Sequence, residues 1–110
     1  MAWKEIEEET AVTDTTLRVI ARLRAQPGRE ADLKQVLVGL IEPTREESGC
    51  IGYELLGNLE DPREFTFVEQ WEGESALEAH FSTDHIAGAV RKFPQLLAQE
   101  LDLRKYHLLG

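Results

Sequence analysis

The sequence predicts an α+β fold: a four-stranded antiparallel sheet in split β-α-β-β-α-β order, with the helices on one face. Three observations lead there. Four stretches alternate apolar and polar residues with the period of a strand, at 17–24, 51–56, 64–71 and 101–108. Between the first two, residues 29–41 carry apolar side chains at helical spacing. Between the last two, cap residues bound two short helical segments.

The first strand sets Leu17, Val19, Ala21 and Leu23 against Arg18, Ile20, Arg22 and Arg24, and Pro27-Gly28 ends it. In the helix that follows, Leu33, Val36, Leu37, Leu40 and Ile41 share a stripe. Pro43 is expected to kink or restart it, and Gly49 is a favoured left-handed stop after Ser48. In the second strand Ile51, Tyr53 and Leu55 are expected on one face. Gly57 to Pro62 is a turn, so the third strand is its hairpin partner, with Phe65, Phe67, Glu69 and Trp71 on one side.

Ser75 and Glu78 have the spacing of a capping box, with Gly73 as the other possible cap, for a helix ending at Phe81. Ser82, Thr83 and Asp84 are N-cap candidates for a helix over His85–Phe93. Pro94 is expected to end that helix or start a short one. The last strand places Leu101, Leu103, Lys105 and His107 on one side.

A chain of 110 residues with 42% hydrophobic and 30% charged content suits one soluble domain. No stretch approaches the ~20 apolar residues of a membrane helix. The first residues lack a basic-then-apolar leader, so a cytoplasmic location is expected. The formal net charge of -9 argues against nucleic acid and anionic membranes as partners. Residues 1–16, with Glu5, Glu7, Glu8, Glu9 and Asp14, read as a poorly ordered acidic tail, and 17–110 as the domain. Trp3 and Ile6 could dock on the domain or on a partner chain. The single Cys50 excludes an intrachain disulfide and reads as a packed, inert thiol. Ile20, Leu56, Val68 and Leu108 would leave the sheet's outer face apolar, which predicts a homodimer built sheet against sheet.

Groups able to do chemistry concentrate between Glu69 and His85. His80 would close one helix and His85 would open the next. Five residues on one continuous helix would set them about 140° apart. That spacing is not the i, i+4 ligand pair of a helical metal site, and no third ligand is evident in the sequence, so no metal is expected. His85, in a first helical turn where the dipole favours neutral imidazole, is the first choice for a general base. Glu69 lies on an otherwise apolar strand face and needs a partner if buried, with Arg22 or His80 as candidates. Trp71 and Phe67 share that face. Trp71 either packs the core or, if a pocket lies over it, stacks on an aromatic ligand. Tyr53 can donate a hydroxyl to such a pocket or bridge neighbouring strands. Phe81, Phe93, Leu96 and Leu97 are helix-core residues that could form its apolar lid.

Pro43-Thr44-Arg45, Glu47-Ser48-Gly49-Cys50, Tyr53, Glu69-Gln70-Trp71-Glu72, Leu77-Glu78-Ala79-His80 and Thr83-Asp84-His85 occur in the order seen in antibiotic biosynthesis monooxygenase domains. The chain resembles that family from about Leu17 onward, and within it the small quinol monooxygenases. The resemblance implies a ferredoxin-like subunit, a dimeric α/β barrel, and a pocket between sheet and helices. It also implies oxidation of quinols or related aromatics by O2 without flavin, haem or metal. His85 and His80 would then be catalytic, and Trp71, Glu69, Tyr53, Phe67 and Phe81 would bind substrate. Relatives with this pattern also include small-metabolite isomerases, haem-degrading enzymes and proteins without a known reaction. The haem-degrading relatives use an Asn on the first strand, where this chain has Ile20-Ala21-Arg22-Leu23. Position 84 departs from the pattern, Asp standing where Pro is frequent; Asp can still cap the helix.

Overall fold

The computed structural model describes residues 15–110. Eight elements follow one another: β1 (Leu17–Arg24), α1 (Glu30–Val38), α2 (Ile41–Arg45), β2 (Cys50–Gly57), β3 (Glu64–Trp71), α3 (Glu74–Phe81), α4 (Asp84–Leu96) and β4 (Asp102–Tyr106). The strands form one antiparallel sheet in the order β2-β3-β1-β4. This is the split β-α-β-β-α-β arrangement expected from the sequence. Of the acidic tail expected at residues 1–16, residues 1–14, with Trp3 and Ile6, lie outside the described residues, while Thr15 donates its hydroxyl to the Glu72 carbonyl at 3.1 Å.

Register explains the core. Leu17 pairs with Trp71, Val19 with Glu69, Ala21 with Phe67 and Leu23 with Phe65 across β1 and β3. Every second residue of both strands therefore points at the helices. On that side Val19, Ala21, Leu23, Phe65, Phe67 and Trp71 are buried against Leu33, Leu37, Leu77, Ala89 and Leu96. A fully buried side chain of this kind contributes about 1.5–3 kcal/mol. The opposite parity carries Ile20 and Val68, which pair across the two strands, together with the half-exposed Leu56.

The structure corrects some local expectations and decides between the alternatives of others. Ile51 is half exposed, because a bulge between Cys50 and Gly52 inserts it as an extra residue and turns its side chain outward. Tyr53 and Leu55 keep the inward parity. α3 starts one residue early, behind Gly73, so no capping box forms at Ser75. Thr83 caps α4 and accepts from the Ile86 amide, leaving Asp84 as the first helical residue. α4 runs past Pro94 to Leu96, the proline leaving the Val90 carbonyl without the i→i−4 bond that an N–H at 94 would give. α2 contains Pro43 near its start, where its missing N–H costs least.

Gly49 fixes how the site is hung on this frame. Its φ is +87°, and a Cβ there would sit 2.6 Å from the Ala76 Cβ. The Gly49 carbonyl accepts from the Glu72 amide at 2.8 Å, tying the turn before β2 to the end of β3. That turn carries Glu47 toward α3.

Candidate functional site

Glu47 stands between α2 and β2, held by its own amide to the Thr44 carbonyl and by its carbonyl to the Cys50 amide. Its Oε2 lies 2.7 Å from His80 Nδ1 and 2.7 Å from His85 Nε2. His80 closes α3 and His85 opens α4. Thr83 bridges them by donating its hydroxyl to the His80 carbonyl and accepting from the Ile86 amide. The tight turn between the helices overrides the 140° separation expected on a continuous helix. Both rings thus reach one carboxylate oxygen.

A carboxylate only accepts, so neutral rings donate through His80 Nδ1–H and His85 Nε2–H. The remaining nitrogen of each ring then keeps its lone pair. His80 is 2% exposed, and burial holds its pKa below the usual histidine range, although the Glu47 carboxylate opposes this. Its ring is 4.7 Å from that of Trp71 and 5.7 Å from that of Tyr53.

An apolar cavity of about 80 Å³ lies between the inner sheet face and α3 and α4. Tyr53, Phe67, Glu69, His80 and Phe81 are on its wall, as are Phe93 and Leu103. Phe81 and Val90, also on its wall, are each about half exposed. Tyr53 and Phe67 stack with centroids 4.6 Å apart, and burial pushes the Tyr53 hydroxyl pKa far up. Glu69 is buried on the wall, and desolvation raises its pKa to about 7, partly offset by a hydrogen bond from Trp71. Trp71 Nε1 donates to Glu69 Oε1 at 2.9 Å.

Five of the seven residues singled out from the sequence therefore share one cavity. Trp71 and His85 do not line it. Trp71 is fully enclosed behind Glu69 and is that carboxyl's hydrogen-bond partner. Neither candidate partner from the sequence fills that role: Arg22 points from the outer face to Glu64, and His80 is taken by Glu47. His85 borders a separate, open hollow of about 420 Å³ with Gln35, Leu40, Gly88 and Lys92. Phe93 is on the cavity wall, Leu96 is buried in the core, and Leu97 packs against the core. His107 is exposed beyond β4. Cys50 is half-buried, and burial pushes its thiol pKa up.

Glu47 is the residue that sequence reasoning missed as a functional group. It lies 33 residues from His80 in a polar run, and only the turn geometry brings it under α3. It also corrects the expectation of a missing third ligand. Glu47, His80 and His85 are a group of three metal-ligating side chains whose ligand atoms lie within 4.8 Å of one another.

A family model for antibiotic biosynthesis monooxygenases matches residues 16–92. The chain belongs to this family. The probable quinol monooxygenase YgiN of Escherichia coli is 33% identical over 81 residues, covering 64% of this chain and 77% of that protein. The putative monooxygenase YcnE of Bacillus subtilis is 27% identical over 88 residues, 80% of this chain and 93% of its own. Among solved structures, PA3566 from Pseudomonas aeruginosa superposes with a TM-score of 0.83 at 34% identity, covering 87% of this chain and 96% of its own. A structure described as an antibiotic biosynthesis monooxygenase superposes at 0.80 with 28% identity, covering 86% and 99%. These similarities support a monooxygenase-like role, and the Glu47-held histidine pair, the cavity and its buried carboxyl lie on the family's fold.

Proposed function

We propose that the protein oxidises quinols or related phenolic small molecules with O2 and without a cofactor. The observation that carries this reading is the cavity wall, where a buried His80 held by Glu47 faces an apolar space that also contains a readily protonated Glu69. The tautomer imposed by Glu47 leaves the His80 Nε2 lone pair to take a proton from a substrate hydroxyl. The imidazolium formed is paired with the Glu47 carboxylate. His85 is then a positioning residue, since its second hydrogen bond holds Glu47 toward His80.

The deprotonated quinol is electron-rich enough to reduce O2 itself. One oxygen atom is added to the ring and the other leaves as water, so quinol plus O2 gives hydroxyquinone plus water, all electrons coming from the substrate. Neutral Glu69 supplies a proton to the departing oxygen, and the apolar wall keeps the intermediates from solvent. At about 80 Å³ the cavity is smaller than the ~150 Å³ that admits benzene, so a quinol needs it to widen at the half-exposed Phe81 and Val90.

The same reading includes a homodimer through the outer sheet face, supported by the apolar Ile20, Val68 and Leu56 there. A second reading, proton shift in a small carbonyl-rich metabolite, draws on His80 and the protonatable Glu69 lining the same cavity. An oxygen electrode and a quinol panel separate the two. Monooxygenation gives oxygen uptake that falls at least about a hundredfold in His80→Ala, the scale of a general base. Turnover without oxygen consumption would establish the isomerase reading instead.

A further inference from the structure

We propose that Glu47, His80 and His85 form a binding site for a divalent first-row metal ion of the zinc class, open on its fourth side. The donor set is two imidazoles and one carboxylate, the mixture that binds such ions in open sites. The three side chains come from three different segments: the turn before β2, the end of α3 and the start of α4. Each is anchored by backbone contacts, at Thr44 and Cys50 for Glu47 and at Thr83 for the helix ends.

The spacing is near what an ion requires. Ligands about 2.1 Å from one ion stand roughly 3.0–3.4 Å apart for octahedral to tetrahedral angles. Both imidazole-to-carboxylate contacts are 2.7 Å, so small side-chain rotations open room for the ion. A neutral imidazole with its N–H on the other nitrogen presents Nδ1 of His80 or Nε2 of His85 to the ion. Of the three ligands, His85 borders the open hollow with Gln35, Gly88 and Lys92, the route by which an ion, water or a small anion would reach the site.

A metal here withdraws Glu47 from His80 and reverses its tautomer. If the proposed oxygen chemistry holds, occupancy therefore switches that chemistry off, a consequence that rests on the functional reading, whereas the metal site itself does not.

The test is titration of the metal-stripped full chain with Zn2+ by calorimetry, and with Co2+ by its visible d–d absorption. One ion per chain is expected. Glu47→Gln and His85→Gln should weaken binding on the order of a hundredfold, the upper end of effects seen even for outer partners of metal ligands. The chain has three histidines, so His107→Ala is the control and should bind as the parent does. Both ligand variants keep size and polarity at positions outside the apolar core, and a circular-dichroism spectrum matching the parent establishes that they fold. Absence of saturable binding, or binding untouched by both ligand variants, overturns the proposal. Oxygen uptake by the stripped protein, lost with one equivalent of Zn2+ and restored by chelation, supports the regulatory consequence. A protein that binds the ion but consumes no oxygen with any quinol overturns the functional reading and leaves the metal site standing.

Discussion

Replacing Glu69 by Gln should make the protein more stable at neutral pH, although it removes a charge-bearing residue from a hydrogen bond. The folded carboxyl has a pKa of about 7, against 4.5 for a free glutamate, because burial disfavours its ionised form. Below pH ~4.5 both folded and unfolded chains hold the proton, and no difference arises. As pH rises from there, the unfolded chain ionises while the folded one does not. Stability is therefore lost progressively up to about pH 7 and is level above it. At about 1.4 kcal/mol for each pH unit between the two values, the loss is about 3 kcal/mol. Gln cannot ionise, and its Oε1 can still accept from Trp71 Nε1. Urea unfolding followed by tryptophan fluorescence at pH 5, 6, 7 and 8 measures the effect. The variant's midpoint should overtake the parent's by about 1–3 M urea between the lowest and highest pH. His80, with its pKa lowered by burial, acts in the opposite direction, stabilising the fold as pH rises toward 6.5. Both proteins carry it, so it cancels in the comparison. Parallel curves would refute the assignment of Glu69 as a buried, readily protonated carboxyl.

Gly49→Ala should cost about 2–4 kcal/mol in chemical denaturation, since it combines left-handed backbone with a clash against Ala76. Phe81→Ala should open the outer wall of the cavity, lowering KM for bulky naphthoquinols with kcat changed less; an unchanged KM would show that Phe81 does not gate entry. Glu47→Gln should lower kcat by about tenfold to a hundredfold with KM nearly constant, because it disturbs the tautomer of His80 rather than the cavity; wild-type kcat would remove Glu47 from the mechanism. Val68→Arg, on the outer sheet face, should shift the mass measured by light scattering from dimer to monomer while far-UV circular dichroism stays unchanged; a parent protein that is monomeric at micromolar concentration removes the dimer from the proposal.

The strands and their inner faces were readable from periodicity because one face of each strand must be buried, and a period of two registers that requirement residue by residue. Phe65, Phe67, Glu69 and Trp71 therefore fell on the inner face as expected. Ile51 escaped the pattern because a bulge is set by pairing with β3, which the local sequence does not encode. The cap of α4 was narrowed to Ser82, Thr83 or Asp84 by residue type, but the backbone path around the turn selected Thr83.

Of the site, the sequence by itself singled out Tyr53, Phe67 and Glu69 on strands and His80 and Phe81 at a helix end, and put Phe67 and Glu69 on one strand face; the structure gathers all five around one cavity. The tertiary structure alone decided their partners. It moved Trp71 behind Glu69, turned His85 toward a solvent hollow, and brought Glu47 against both histidines. The physical reason is range. Hydrophobic period is a local property that burial enforces at every turn or pleat, whereas a hydrogen bond 33 residues distant in sequence depends on how a left-handed glycine and two short helices aim their side chains.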